Sequence, residues 1–220
     1  MKTVIFKTNE DKWVETNASA CDLCVVEEQL YHQTGKSLWK GDFNVSIVGI
    51  RTPRLNNKVS DKFQDIIYFT WTEELNGSES RLWYELTATT LAGRRMHNKP
   101  INSKGTAQLK CGFHPSLWKR GKHKGKNALI QIGNEVTVLR DNDGDLEHNF
   151  DGEEHTGYFG INLHTANKAG TSTVVGGWSA GCQVTNIPQA AFNKLLNQLK
   201  KCEEKTGYLS YSYFLLNLGQ

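Results

Sequence analysis

No apolar run in the chain approaches the roughly 18 residues that a membrane-spanning helix needs, and the opening MKTVIFKTNEDKW lacks the apolar stretch of a secretion signal. The expectation is a protein without membrane insertion, made in a cytoplasm without a signal peptide, that needs separate delivery to act elsewhere. Neither sign of charge dominates: 26 Lys and Arg stand against 23 Asp and Glu, a net +3. A nucleic-acid binder would carry a larger basic excess, so no nucleic-acid partner is expected. The five cysteines, Cys21, Cys24, Cys111, Cys182 and Cys202, are odd in number and lack framework spacing, which argues for free thiols in a reducing compartment. Repeats, low-complexity blocks and linkers are also missing, so the 220 residues read as one domain, large enough for its own core.

What is present is mostly β-type sequence. FNVSIVGIR (43–51), FQDIIYFTW (63–71), RLWYELTATT (81–90), ALIQIG (128–133), EVTVLR (135–140), GYFGINLH (157–164) and the closing YLSYSYFLL are rich in β-branched and aromatic residues. Gly133-Asn134 reads as a two-residue hairpin turn between two of these runs. Two helices are expected. Residues 20–34 carry Leu23, Val26, Leu30 and Tyr31 on one stripe with Gly35 as a stop. Residues 186–202 carry Phe192, Leu195, Leu196 and Leu199 on one face, with Pro188 near the start and Gly207 beyond the end. The fold class is α+β, mainly β.

One stretch carries chemistry: VGGWSAGCQV (175–184). A thiol is a useful nucleophile as thiolate, and a nearby imidazole is the usual means of making it near neutral pH. His164 ends a predicted strand, and a Gly/Thr/Ser-rich loop then leads to Ser179-Ala180-Gly181-Cys182. Small residues before Cys182 leave room for a substrate carbonyl, and N–H groups at Gly181 and Cys182 can face a developing oxyanion. On spacing alone, a buried structural thiol competes with this reading.

His164 followed by Ser179-Ala180-Gly181-Cys182 resembles the signature of the L,D-transpeptidase family. TATTLAG (87–93), KGTAQL (104–109), ALIQIGNEVTVLRDNDGD (128–145), GYFGINLHTA (157–166) and GGWSAGCQV extend the resemblance to a divergent, often phage-borne branch. It covers roughly residues 43–217, leaving 1–42 as an N-terminal extension with a helix. The resemblance implies sandwiched or mixed β-sheets with a helix after the catalytic loop. It implies Cys182 as the acylated nucleophile, His164 as general base and then acid, Gly181 and Cys182 as oxyanion donors, and Ser179 as support for the loop or the histidine. The implied substrate is a peptidoglycan stem peptide, whose acyl group passes to an amine or to water without metal or organic cofactor. Ala180, where the family usually has His or another polar residue, and Val184, where it often has Asn or Arg, depart from the signature. Both positions shape substrate contacts, so hydrolysis ranks at least level with cross-linking. The implied setting is the bacterial cell wall, as a phage lysin or a virion component among other virion proteins. The alternative is a catalytically silent wall-binding or virion structural module of the same fold.

The remaining constellations are weaker. CDLC (21–24) is a CxxC without a second pair, better read as a helix start than as zinc. DNDGDLEHNFDGEE (141–154) looks like a calcium loop, but its first glycine is fourth rather than sixth and Gly152 takes the twelfth place, which needs a bidentate Glu. A solvated turn is expected there. KCGFHPSLWKRGKHKGK (110–126) reads as a basic loop at the rim of the site, facing anionic wall polymer or stem-peptide carboxylates. His123 in that segment, with Tyr158, Trp178 and Arg140, is a candidate to line the cleft.

Overall fold

The β-rich composition folds as expected into a mainly β, α+β molecule. The computed structural model describes residues 1–9, 12–16 and 20–218, with the side chains of 20–22 outside that description. In chain order come β1 (Lys2–Asn9), β2 (Lys12–Thr16), α1 (Ala20–Thr34), β3 (Ser46–Arg51), β4 (Asp65–Leu75), β5 (Ser78–Thr89), α2 (Arg94–Asn98), β6 (Thr106–Leu109) and β7 (Gly112–His123). There follow β8 (Lys126–Gln131), β9 (Val136–Asp141), β10 (Glu154–Gly157), β11 (Leu163–Thr165), β12 (Gln183–Thr185), α3 (Gln189–Thr206) and β13 (Tyr211–Asn217).

The large sheet runs β12-β11-β8-β7-β13-β3-β4-β5-β1-β2, and a further β12–β5 pairing closes it into a barrel. Closure removes two edges that would otherwise template association. A smaller sheet, β10-β9-β6, lies apart from this ladder. Inside the large sheet β3 and β13 are parallel and buried along almost their whole length. Their alternating side chains serve two cores. Ile47, Tyr213 and Leu215 join Trp71, Trp118 and the α3 residues Phe192, Leu195 and Leu199, while Val48, Ile50, Phe214 and Leu216 join Leu23 and Leu30 of α1. Strands covered on both faces are apolar at successive positions.

The N-terminal segment is built into this architecture. β1 pairs with β5 in parallel, and Trp13 on β2 donates its indole N–H to Ala191 O on α3 at 3.1 Å. Both expected helices form, and Gly35 (φ 65°) and Gly207 (φ 76°) end them in the left-handed conformation. Cys21 of the CxxC pair lies outside the described side chains, and Cys24 is exposed. Among the described residues no helix is long and apolar enough to cross a membrane.

Three local expectations are corrected. Gly133-Asn134 does not turn a hairpin, because β8 and β9 belong to different sheets. Gly133 instead passes so close to β7 that a Cβ there would lie 1.5 Å from Ser116 O, and Asn134 Nδ2 donates to Pro115 O at 2.8 Å. Residues 157–164 are not one strand: β10 and β11 sit in separate sheets, and side chains satisfy the backbone between them. Trp118 Nε1 donates to Ile161 O at 2.7 Å, and Ile161 N donates to Gln131 Oε1 at 2.8 Å. The basic segment 110–126 is not a loop but β7 and its hairpin to β8, turning at Lys124 (φ 47°) and Gly125 (φ 79°).

Candidate active site

The core of the site is the parallel pair β11–β12, in register Leu163↔Gln183, His164↔Val184 and Thr165↔Thr185. Parallel neighbours need a long crossover, and residues 166–182 supply it. Asp61 pins that crossover, accepting Val175 N on its backbone carbonyl at 2.7 Å and Gly176 N on Oδ1 at 3.2 Å. His164 pairs with Val184, and Cys182 stands one residue before β12, so the register brings the segment that carries the cysteine alongside the strand that carries the histidine. Gln183 N donates to Asn162 O at 2.8 Å, which ties the residue after Cys182 to the segment just before the strand that bears the histidine.

Gly181 is required by local geometry. Its φ is 131°, and a Cβ would meet Ala107 O at 3.0 Å and Ala107 Cβ at 3.1 Å on β6. Ser179 is fully buried and laces the loop together, its hydroxyl donating to Cys182 O at 2.8 Å and accepting from Gly181 N at 3.3 Å. The serine thus supports the loop rather than the histidine, and it occupies the Gly181 N–H. Cys182 N–H has no hydrogen-bond partner among the described residues and is left as the available oxyanion donor. The half-buried Cys182 thiol donates to Gly160 O at 3.3 Å. Burial raises its pKa above the usual value, against the pull of the nearby backbone at Asn162 and of Lys124.

The protonation state of His164 follows from its neighbours. Its Nδ1 lies 3.0 Å from Thr165 O, a pure acceptor, so Nδ1 carries the hydrogen and Nε2 the lone pair of the neutral ring. Burial first, then the positive groups of His123, Lys126 and Lys124, pull its pKa down to about 4, overriding the hydrogen bond to Thr165. His123 stacks on His164 with ring centres 4.7 Å apart. Gln131 N donates to Asn162 Oδ1 at 2.8 Å, so the amide's Nδ2 donates to His123 Nδ1 at 3.0 Å and fixes that tautomer too. Burial also lowers the pKa of His123.

Lys126 Nζ sits 5.0 Å over the exposed Trp178 ring and donates to Ala166 O at 3.2 Å, which places an aromatic and a cation beside the end of β11. Tyr158 is exposed on the segment leading to Gly160. Arg140 is buried elsewhere, bonded to Gly105 O at 3.1 Å under the Phe159 ring. Sequence reasoning missed Asn162, although it stands only two residues before His164. It also missed the gathering of His97, Asp141 and His148, the one group among the described residues with metal-binding side chains close together. No protein-family model, curated protein or solved structure matches the chain.

Proposed function

We propose that the chain is an L,D-transpeptidase-like cysteine peptidase or acyltransferase acting on peptidoglycan stem peptides through a Cys182 acyl-enzyme. The observation that supports this reading is the β11–β12 register, which brings the segment carrying Cys182 alongside His164, whose Nδ1 faces Thr165 O and leaves Nε2 to take a proton. In the reaction His164 Nε2 takes the Sγ proton as sulfur attacks the scissile carbonyl carbon. Cys182 N–H faces the oxyanion, and His164 returns the proton to the leaving amine. The thioester then passes to water or to an acceptor amine. Lys124 and Lys126, whose charges act on His164, offer positive charge to stem-peptide carboxylates. The substrate class rests on the sequence resemblance, as does action at the bacterial wall in a phage lysin or virion.

A second reading has its own support. The resting thiol points to Gly160 O and the ring is neutral, which also suits a silent wall-binding or virion module. Purified peptidoglycan digested with wild type and with Cys182→Ala, followed by mass analysis of the muropeptides, separates the two. New cleavage or cross-link products with wild type and none with Cys182→Ala are expected. Unchanged muropeptides with wild type across several wall chemotypes would leave the silent module standing.

A further inference from the structure

Away from the cleft, three metal-binding side chains converge. His97 on α2, Asp141 at the end of β9 and His148 in the following loop place their ligand atoms within 4.8 Å of one another. They are only 5%, 3% and 2% exposed. Buried polar atoms are normally partnered, yet His97 Nε2 and His148 Nδ1 have no hydrogen-bond partner among the described residues. Gln108 on β6, also fully buried, adds a third orphan, its Oε1. Turning that amide over does not help. Its Nε2 donates to Asp141 Oδ2 at 3.0 Å and to Asn149 O at 3.3 Å, so a flip would set oxygen against oxygen.

We propose that His97, Asp141 and His148 hold one divalent cation of the zinc class, with Gln108 orienting the carboxylate and offering Oε1 beside it. Two imidazoles and one carboxylate are a borderline donor set, suited to zinc rather than to calcium or magnesium, which take oxygen ligands. His97 Nδ1 stands 3.4 Å from Asp141 Oδ2, which sets the imidazole beside the carboxylate. Asn149 N at 3.2 Å and the Gln108 amide fix Asp141 Oδ2 from outside, as ligating carboxylates usually are.

The surrounding charges leave a place for a cation. Arg54 is paired with Asp65 at 2.5 Å, and Arg51 directs its donors to Thr90 O and Leu109 O, so Asp141 remains as counter-charge. His148 lines a polar cleft of about 530 Å³ with Arg54, Asn57 and Asn149, which gives an entry path. The ion would staple α2 to the end of β9 and to the loop after it. Neighbouring residues of β6 link this staple to the nucleophile loop: Gln108 faces the ligands, and Ala107 abuts Gly181.

Chelator-treated wild type, titrated with Zn(II) by calorimetry and with Co(II) by visible absorption, tests the site without reference to activity. Expected are one metal per chain and Co(II) bands of tetrahedral intensity. Zn(II) binding should vanish in His97→Ala and His148→Ala and weaken about 10- to 100-fold in Gln108→Ala. Absence of tetrahedral Co(II) bands in folded wild type overturns the proposal, and that measurement stands even if an alanine variant fails to fold. So does unchanged Zn(II) affinity in both folded histidine variants.

Discussion

Asp65→Ala is expected to lower the unfolding free energy by about 3–5 kcal/mol, the range for removing one partner of a buried ion pair. Asp65 is fully buried at the start of β4, and its carboxylate faces Arg54, whose side chain is 4% exposed. It also accepts from Thr52 N at 3.0 Å, Thr90 N at 2.7 Å and Thr90 Oγ1 at 2.8 Å. Alanine leaves a buried guanidinium uncompensated and three donors unpartnered. Urea unfolding of the single variant reads the loss. A change below 1 kcal/mol would mean that Arg54 finds solvent once released.

The same carboxylate sets an acid dependence with a defined sign. Desolvation pushes its pKa up, but Arg54 and the Thr90 and Thr52 amides outweigh that and leave it below the ordinary 3.8. Its contribution is therefore complete above about pH 3.8 and is lost as pH falls through the lower folded value. The stability gap between wild type and Asp65→Asn should be constant from neutral pH down to that point and shrink below it.

How far the sequence carried this picture depends on whether a pattern was local. The α3 face of Phe192, Leu195, Leu196 and Leu199 is buried as its 3.6-residue period requires, and Gly207 stops the helix where expected. Asn76-Gly77, with φ 52° and 76°, turns the β4–β5 hairpin, a local signal that the expectations above do not include. By contrast β7 hid behind its own charges. Trp118 is buried, but neighbouring Lys119, Arg120 and Lys122 gave the segment the composition of a loop. Gly133 was read as a turn residue when a close approach to Ser116 is what requires it, and nothing local distinguishes the two.

The candidate site divides along the same line. Cys182, His164 and Gly181 belong to one short stretch of sequence, and β11–β12 pairing brings the segments that carry the histidine and the cysteine side by side. The Ser179 lacing is local and was half legible. The His123–Asn162–Gln131 chain spans two hairpin strands and the segment before β11, so only the folded barrel assembles it. His97 is further still from Asp141 and His148, and the loop holding the latter two looked merely like a failed calcium loop.

His164→Ala should reduce Cys182-dependent turnover by about 10²–10⁴-fold, the range for general acid–base catalysis, while far-UV circular dichroism stays that of wild type. The pH profile is the more searching part. With His164 held down to about 4 and the Cys182 thiol raised by burial, the resting pair is a neutral thiol and a neutral imidazole. A base works only while unprotonated, so acylation should be present above about pH 4 and lost as pH falls through it, rather than near the ordinary 6.5. A preformed thiolate–imidazolium pair could give a similar acid limb, so ultraviolet absorbance must decide between them. Wild type and Cys182→Ala should match at 240 nm, where a thiolate absorbs, at pH 7, because Cys182 gives up its proton only as the carbonyl arrives. An excess thiolate band in wild type at pH 7, or an acid limb close to 6.5, would overturn the concerted route. The first would put the proton on His164 before substrate binds, and the second would mean that the ring is more open to water than its burial beside His123 implies.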